Sequence, residues 1–346
     1  MKILVLGYFG YKSSKLDGQT VKTRSIYQLL QKKTAHNVTF FDTESLKCNK
    51  LRLFNLICNV CSCDRLVYLP AHGNLKYLFP CLYLLSIFCR YQIVYVVIGG
   101  WLSEFLKDKP LHRIMLRKIR VICVETKQMR CDLENKFSFS NVVILPNFRE
   151  DISIRQSVIQ NEGPDNKLRL VFMARIQMLK GLDYIRDLAE YIRCKKKSDM
   201  LILDFYGQID ENDKQYFDTL ITTYSFLQYK GVLSPPDIPQ TLCGYDLLIL
   251  PTHYFTEGFP GSILEAYMAG IPVLVTNWKH ATEFVDDRVT GFIIPFNNGV
   301  GELITIIDSL LLNKKRLELM KPAILEKVHS FSESTVWNTI SIFFQE

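Results

Sequence analysis

Glu257 and Glu265 stand eight residues apart in Glu257-Gly-Phe-Pro-Gly-Ser-Ile-Leu-Glu265, and a pair of carboxylates so spaced can grip a ligand rich in hydroxyls. The glycine- and proline-punctuated turn runs straight into an apolar helical start at Ile263, Leu264, Ala266 and Met268. One acid is therefore expected in a loop above a helix N-terminus, the other about one turn inside the helix. Backbone N–H groups of Gly261, Ser262 and Ile263 at that terminus would form an anion site. Carboxylates accept hydrogen bonds from sugar hydroxyls while a helix end holds phosphate, so the combination implies a nucleotide-sugar.

Such a site needs a rigid frame, and the chain supplies one. Ile3–Leu6 is a short continuous apolar run, as expected of a buried parallel strand. A loop over 7–18 leads to a predicted helix over Thr20–Lys33. Further strands are predicted at Val38–Phe41, Arg65–Leu69, Ile93–Ile98 and Val121–Val124. Helical segments separate several of them, the pattern of a doubly wound α/β sheet. Turn chemistry at 161–166 (Asn-Glu-Gly-Pro-Asp-Asn) marks a linker. The alternation then restarts with strands at Leu168–Ala174, Met200–Tyr206, Leu227–Lys230, Leu247–Leu250, Val273–Thr276 and Phe292–Ile294. Helices are predicted from Leu182, through Phe217 and from Ser262, and Glu333–Phe344 is amphipathic and helical.

Leu78–Cys89 followed by Ile93–Gly99 is apolar enough to suggest a membrane span. Its pieces are about twelve and seven residues, short of the roughly 20 needed, so a buried helix followed by a buried strand is expected. Leu111–Arg120 is basic and amphipathic, with Leu111, Met115 and Ile119 at helical spacing; a solvated helix face is the default reading and contact with an anionic membrane the sharper alternative.

With 346 residues, 48% hydrophobic and 22% charged, the chain is long enough for two globular domains and is neither disordered nor fibrous. No leader peptide is evident at Met1–Gly10, and a reducing, cytoplasmic setting is expected from ten irregularly placed cysteines. Cys58, Cys61 and Cys63 have a spacing that could offer three thiolates to zinc. No fourth ligand stands nearer than His72, so buried or half-buried thiols are the preferred reading. The net charge of +7 conceals an asymmetry: residues 1–160 carry +13 and the remainder −6. The first half is thus expected to meet something anionic, membrane phospholipid or a lipid diphosphate, and not nucleic acid, for which no motif is present.

The stretch EGFPGSILEAYMAGIPV resembles the retaining glycosyltransferases of family four, as do several other segments in the same order. These are MKILVLGYFG (residues 1–10), VILPNFRE (143–150), LVFMARIQMLKGLD (170–183), LDFYG (203–207), YKGV (229–232), GYDLLILPT (244–252) and EFVDDRVTGFIIP (283–295). The likeness is dense from about Val143 to Pro295. It implies the GT-B fold, two Rossmann-like doubly wound parallel-sheet domains facing across a cleft. An acceptor-binding domain would span 1–163, a nucleotide-sugar-binding domain 164–330, and a C-terminal helix over 331–346 would pack back on the first domain.

The resemblance also distributes roles. Arg175 and Lys180 would neutralise the donor diphosphate and stabilise its charge as it leaves. Glu257 would touch the donor sugar near the anomeric carbon and act in catalysis with those two cations, while Glu265 would bind the ribose hydroxyls. Phe259, Pro260, Gly261, Ser262 and Ile263 would supply backbone contacts to sugar and phosphate. Lys230, Gly231 and Val232 would grip the base, and Gly18 with Gln19 would line the phosphate side. Where many relatives have a histidine, this chain has Ile98-Gly99-Gly100-Trp101. Gly100, Trp101 and His72 are thus acceptor-side candidates. The segment Pro251–Glu257 is two residues longer than the common version, which puts the seat of Glu257 in question.

No Asp-x-Asp pair is present to hold a divalent metal on the diphosphate, so transfer without metal or other cofactor is expected. The reading is a retaining hexosyltransferase using a UDP- or GDP-linked sugar. Its acceptor would be a saccharide or lipid-linked molecule in cell-surface polysaccharide or glycolipid synthesis, and the enzyme would be cytoplasmic or peripheral on the inner membrane face. Alternatives are a non-catalytic nucleotide-sugar-binding partner subunit and a sugar-nucleotide epimerase of the same fold. A dehydrogenase is disfavoured because Gly7-Tyr-Phe-Gly10 lacks the G-x-G-x-x-G spacing.

Overall fold

The computed structural model describes residues 1–13, 17–48, 52–150 and 166–345. The linker at 161–166 and the 163/164 boundary lie outside these residues, except for Asn166. The chain divides into two compact units, one comprising Met1–Asp151 and Phe331–Glu346, the other Ile152–Ser330.

The first unit carries strands β1 (Lys2–Gly7), β2 (Asn37–Asp42), β3 (Arg65–Leu69), β4 (Gln92–Val96), β5 (Val121–Val124) and β6 (Val142–Ile144). They form one parallel sheet in the order β2-β1-β3-β4-β5-β6. Its helices are α1 (Gly18–Lys33), α2 (Glu44–Cys48), α3 (Arg52–Cys61), α4 (His72–Cys89), α5 (Leu102–Leu106), α6 (Pro110–Lys118) and α7 (Lys127–Phe137). Every residue of β3 and β5 is buried, Arg65 at the start of β3 included, as expected of short, largely apolar strands covered on both faces. One apolar cluster joins the sheet to Leu56, Phe79, Leu116 and Leu133 of α3, α4, α6 and α7. The other joins it to Ile26, Leu29 and Leu30 of α1.

The second unit carries β7 (Leu168–Met173), β8 (Leu201–Tyr206), β9 (Leu227–Tyr229), β10 (Leu247–Leu250), β11 (Val273–Thr276) and β12 (Gly291–Ile294). This sheet is also parallel, in the order β12-β11-β10-β7-β8-β9. Helices α8 (Leu182–Cys194), α9 (Lys214–Thr223), α10 (Ile238–Leu242), α11 (Gly261–Met268), α12 (Ala281–Phe284), α13 (Val300–Leu312) and α14 (Lys321–His329) belong to it. After α14 the chain returns to the first unit as α15 (Glu333–Ile340) and a short 3-10 turn. Val336, Ile340 and Phe344 enter the α1-side core, each such burial stabilising by roughly 1.5–3 kcal/mol. Glu333 meets Lys32 at 3.2 Å and Lys33 at 3.4 Å, and the Arg149 N–H donates to the Phe331 carbonyl at 3.2 Å.

Two expectations need correction. The apolar stretch after Ala71 forms the 18-residue α4 with Pro80 in its interior, and only one of its faces is buried. No helix among the described residues is long and apolar enough to cross a membrane. In α6 the inward residues are His112 and Leu116, while Leu111 is exposed. His112 rotates the helix: its Nε2 lies 3.2 Å from the Leu75 carbonyl oxygen and its ring sits 5.2 Å from that of Phe105.

Candidate active site

In an open parallel sheet, loops at the carboxyl ends of the strands diverge where the strand order reverses, and ligands bind in that crevice. In the second unit the reversal falls between β7 and β10. The loop after β7 carries Arg175 and Lys180, and the loop after β10 carries Glu257. The structure thus brings together residues 77 positions apart: the Lys180 ammonium donates to Glu257 Oε2. Thr252 Oγ1 lies 3.4 Å from the same carboxylate and donates to the Leu179 carbonyl at 3.1 Å. An ammonium has three N–H donors, so Lys180 can hold Glu257 and still reach an anion. Arg175 is exposed beside them in sequence, at the end of β7.

Two glycines make this convergence possible. Gly181 has φ +89°, and a Cβ there would lie 2.1 Å from the Pro251 carbonyl oxygen, so only glycine lets the two loops touch. Gly207 has φ +143°, with a Cβ reaching 1.9 Å from the Ala174 carbonyl oxygen, which sets the backbone under Arg175. Gly181→Ala is expected to lower folding stability by about 2 kcal/mol or more; a urea midpoint matching the wild type would show that the loops tolerate separation.

The lengthened 251–257 segment is accommodated by a clamp that the sequence did not suggest. His253 Nε2 lies 2.7 Å from Asp183 Oδ1 in the first turn of α8, and its ring rests 4.9 Å from Tyr184. The His253 N–H also donates to the Leu179 carbonyl at 2.9 Å. The extra residues are therefore tied to the lysine loop, and Glu257 keeps its place against Lys180. The only sequence signal was a histidine in a long loop and an acid beginning a helix.

Helix α11 begins at Gly261, with Glu257 just before it and Glu265 buried about one turn inside. Phe259 anchors the turn by stacking on Phe284, ring centroids 4.0 Å apart. The helix tip is narrower than expected. The Ile263 N–H already donates to the Pro260 carbonyl at 3.1 Å, because Pro260 occupies the cap position and offers no side-chain acceptor. Gly261 and Ser262 remain as the N–H groups at the tip. Lys230, Gly231 and Val232 follow β9; the Lys230 ammonium donates to Gln228 Oε1 at 2.6 Å, and Val232 is exposed. The Gly207 N–H donates to the Gly231 carbonyl at 2.9 Å, joining this loop to the one beside Arg175.

The first unit has its reversal between β1 and β3. Among the described residues of the loop after β1, several N–H groups are turned toward acids. The N–H groups of Phe9 and Tyr11 donate to Asp42 at 3.1 and 3.4 Å, and that of Lys12 donates to Glu44 at 3.2 Å. The Ser13 hydroxyl, with the N–H groups of Lys12 and Ser13 and the Tyr8 hydroxyl, holds the Glu44 carboxyl below its ordinary range. Gly18 opens α1 behind a capping box in which Asp17 accepts from the Thr20 N–H at 2.9 Å, so an acid already fills that terminus. Gln19 Nε2 is buried with no acceptor among the described residues. After β3, His72 stands 5.0 Å from Trp101, ring centre to ring centre, and Trp101 Nε1 donates to the Ile98 carbonyl at 2.7 Å. Gly100 is buried beside them.

The preferred reading of Cys58, Cys61 and Cys63 as buried or half-buried thiols holds only for the last of them. Cys58 and Cys61 are exposed on α3, whereas Cys63 is buried and its thiol is pushed up to about 12 by that burial. Among the described residues, no group of three or more His, Cys, Asp or Glu is placed to hold a metal ion.

Two parallel six-stranded Rossmann-like sheets define the GT-B class of α/β proteins, and solved structures agree. Sucrose-phosphate synthase from Thermosynechococcus elongatus is similar with a TM-score of 0.74 at 11% identity, covering 99% of this chain and 98% of that one. Anabaena HepE in complex with UDP and glucose gives 0.69 at 16% identity, covering 99% of each chain. A model of the family described as glycosyl transferases group 1 matches residues 153–326, half of the sequence, and the chain belongs to that family. Among curated proteins, an uncharacterized 41.2 kDa protein in the cps region of Klebsiella pneumoniae is 24% identical over 150 residues, 43% of this chain and 38% of that protein. The UDP-Gal:alpha-D-GlcNAc-diphosphoundecaprenol alpha-1,3-galactosyltransferase of Escherichia coli is 34% identical over 80 residues, 22% of this chain and 20% of that enzyme. The matches thus span well under half the length of either relative.

Proposed function

We propose that this protein transfers a hexosyl unit from a nucleotide-sugar, UDP-linked in the first instance, to a saccharide or lipid-linked acceptor, with retention at the anomeric carbon. The observation that carries the reading is the Lys180–Glu257 pair at the strand-order reversal, with the α11 tip and Arg175 on the adjoining loops. A leaving diphosphate develops negative charge, and preorganised cations with backbone N–H donors stabilise it without reorganisation. The acceptor hydroxyl oxygen forms its bond to the anomeric carbon on the face from which the diphosphate departs, and its proton passes to the leaving phosphate oxygen. Glu257 steadies the positive charge that develops on the sugar, and Glu265 holds the ribose.

Arg175, Lys180 and the helix tip supply the charge that a divalent metal would otherwise provide, so no metal or other cofactor is assigned. A role in cell-surface polysaccharide or glycolipid assembly is supported by the likeness to the cps-region protein of Klebsiella pneumoniae and the galactosyltransferase of Escherichia coli. An anionic inner membrane face, met by the basic first unit through α6, would give access to a lipid-linked acceptor. Thermal melts against a panel of UDP- and GDP-sugars test the donor. One UDP-sugar is expected to raise Tm by several degrees at saturation, and transfer should then persist in EDTA with an α-linked product from an α-linked donor. A panel without any shift, or an inverted product, would sink the reading.

A further inference from the structure

Helix α4 is apolar on two opposite faces. Leu75, Phe79 and Leu82 enter the core, while Tyr77, Cys81, Leu84 and Phe88, at spacings of four, three and four, form a second stripe pointing away from it. That stripe is exposed: Tyr77 at 69%, Leu84 at 55% and Phe88 at 80%, with Ile87 beside it at 58%. A helix apolar all round is normally buried all round, so this face lacks its cover. The neighbours extend the patch. Helix α4 packs against both α3 and α6; α3 exposes Leu53, Phe54 and Ile57, and α6 exposes Leu111 and Ile114. Contiguous exposed apolar surface on this scale marks an interaction site.

The charges select the occupant. None of the three helices contains an Asp or Glu, whereas Arg52, Lys76 and Lys118 are exposed on them and Arg90 caps α4. A second copy docked by two-fold symmetry would set these cations against themselves with no acid to meet them. An anionic lipid surface satisfies both halves of the patch, taking the apolar side chains below the headgroups and the cations at their level.

We infer that the outward faces of α3 and α4 insert into an anionic bilayer, with Phe54, Ile87 and Phe88 as the penetrating side chains. This rests on the membrane contact proposed above and moves its centre from α6 to α4. Part of the charge of α6 is engaged elsewhere: Arg117 donates to the Phe137 carbonyl and Arg113 lies 5.6 Å over the Phe137 ring.

Vesicle co-sedimentation of the full chain tests it, using phosphatidylcholine with and without phosphatidylglycerol. Wild-type protein should partition onto the anionic vesicles, and the triple variant Phe54→Ser/Ile87→Ser/Phe88→Ser should partition at least tenfold more weakly with an unchanged melting curve. The control Leu312→Ser/Leu319→Ser, equally exposed in the second unit, should bind as wild type. Binding that survives the triple variant but is lost in Arg113→Ser/Lys118→Ser would overturn the inference and keep the α6 contact. Binding to neither vesicle would overturn both. A solution dimer dissolved by the triple variant would overturn it in favour of a second copy. Transfer to a soluble acceptor should be unaffected by the triple variant, which separates this result from the catalytic reading.

Discussion

Arg175→Ala should lower kcat by about two to three orders of magnitude, the loss expected when one preorganised donor is removed from a developing charge, roughly 3–4 kcal/mol. The side chain is exposed, so the variant should melt at the wild-type temperature. Steady-state kinetics with the donor identified by the thermal screen would measure it. The loss should fall on kcat more than on donor KM, because the charge to be stabilised grows only as the glycosidic bond to phosphate breaks. Arg175→Lys should recover part of the activity, since a point charge replaces a fork able to hold two phosphate oxygens. Turnover near the wild-type level in the alanine variant would remove Arg175 from the mechanism.

The second large effect concerns stability. Lys22 in α1 and Glu125 after β5 are both almost wholly buried and pair at 2.6 Å, with the Leu145 carbonyl 3.4 Å from the same ammonium. Removing one member leaves the other charge in a low-dielectric interior. Lys22→Met should therefore destabilise the first unit by about 3–5 kcal/mol. The double variant Lys22→Met/Glu125→Leu should recover much of that loss, because apolar groups of similar size often replace a buried ion pair at little cost. Urea unfolding followed by circular dichroism would decide. Single and double variants of equal stability would mean that water reaches the pair.

The strands were legible because their burial is written in composition. Arg65–Leu69, Val121–Val124, Leu247–Leu250 and Val273–Thr276 coincide with the observed elements, being apolar runs bounded by polar or turn residues. Helices α3 and α7 were not foreseen. Helix α3 has Leu53, Leu56, Ile57 and Val60 at helical spacing, yet only Leu56 and Val60 are buried, and the run is short. Helix α7 is announced mainly by the Thr126 cap, whose side chain accepts from the Met129 N–H. At the candidate site, the acids and cations could be picked out by type and spacing, but their mutual geometry could not. The Lys180–Glu257 contact depends on Gly181 approaching Pro251 across the strand-order reversal, a tertiary fact. The His253–Asp183 clamp joins residues 70 apart, and nothing in the segment that carries Asp183 points to the loop that carries His253. In sequence the outward stripe of α4 reads as core, because hydrophobicity alone records that a face avoids water, not what it meets instead.

The return of the chain after Ser330 bears on how the molecule is made. Residues 331–345 complete one side of the β1–β6 sheet, where Val336, Ile340 and Phe344 close over Ile26, Leu29 and Leu30. On the ribosome, the first unit is therefore completed only after the second, because the second is encoded between its two pieces. Until residues 331–345 have emerged, the nascent first lobe presents an open apolar flank. Truncation after Ser330 would leave that flank permanently bare, damaging the lobe farthest from the cut in sequence.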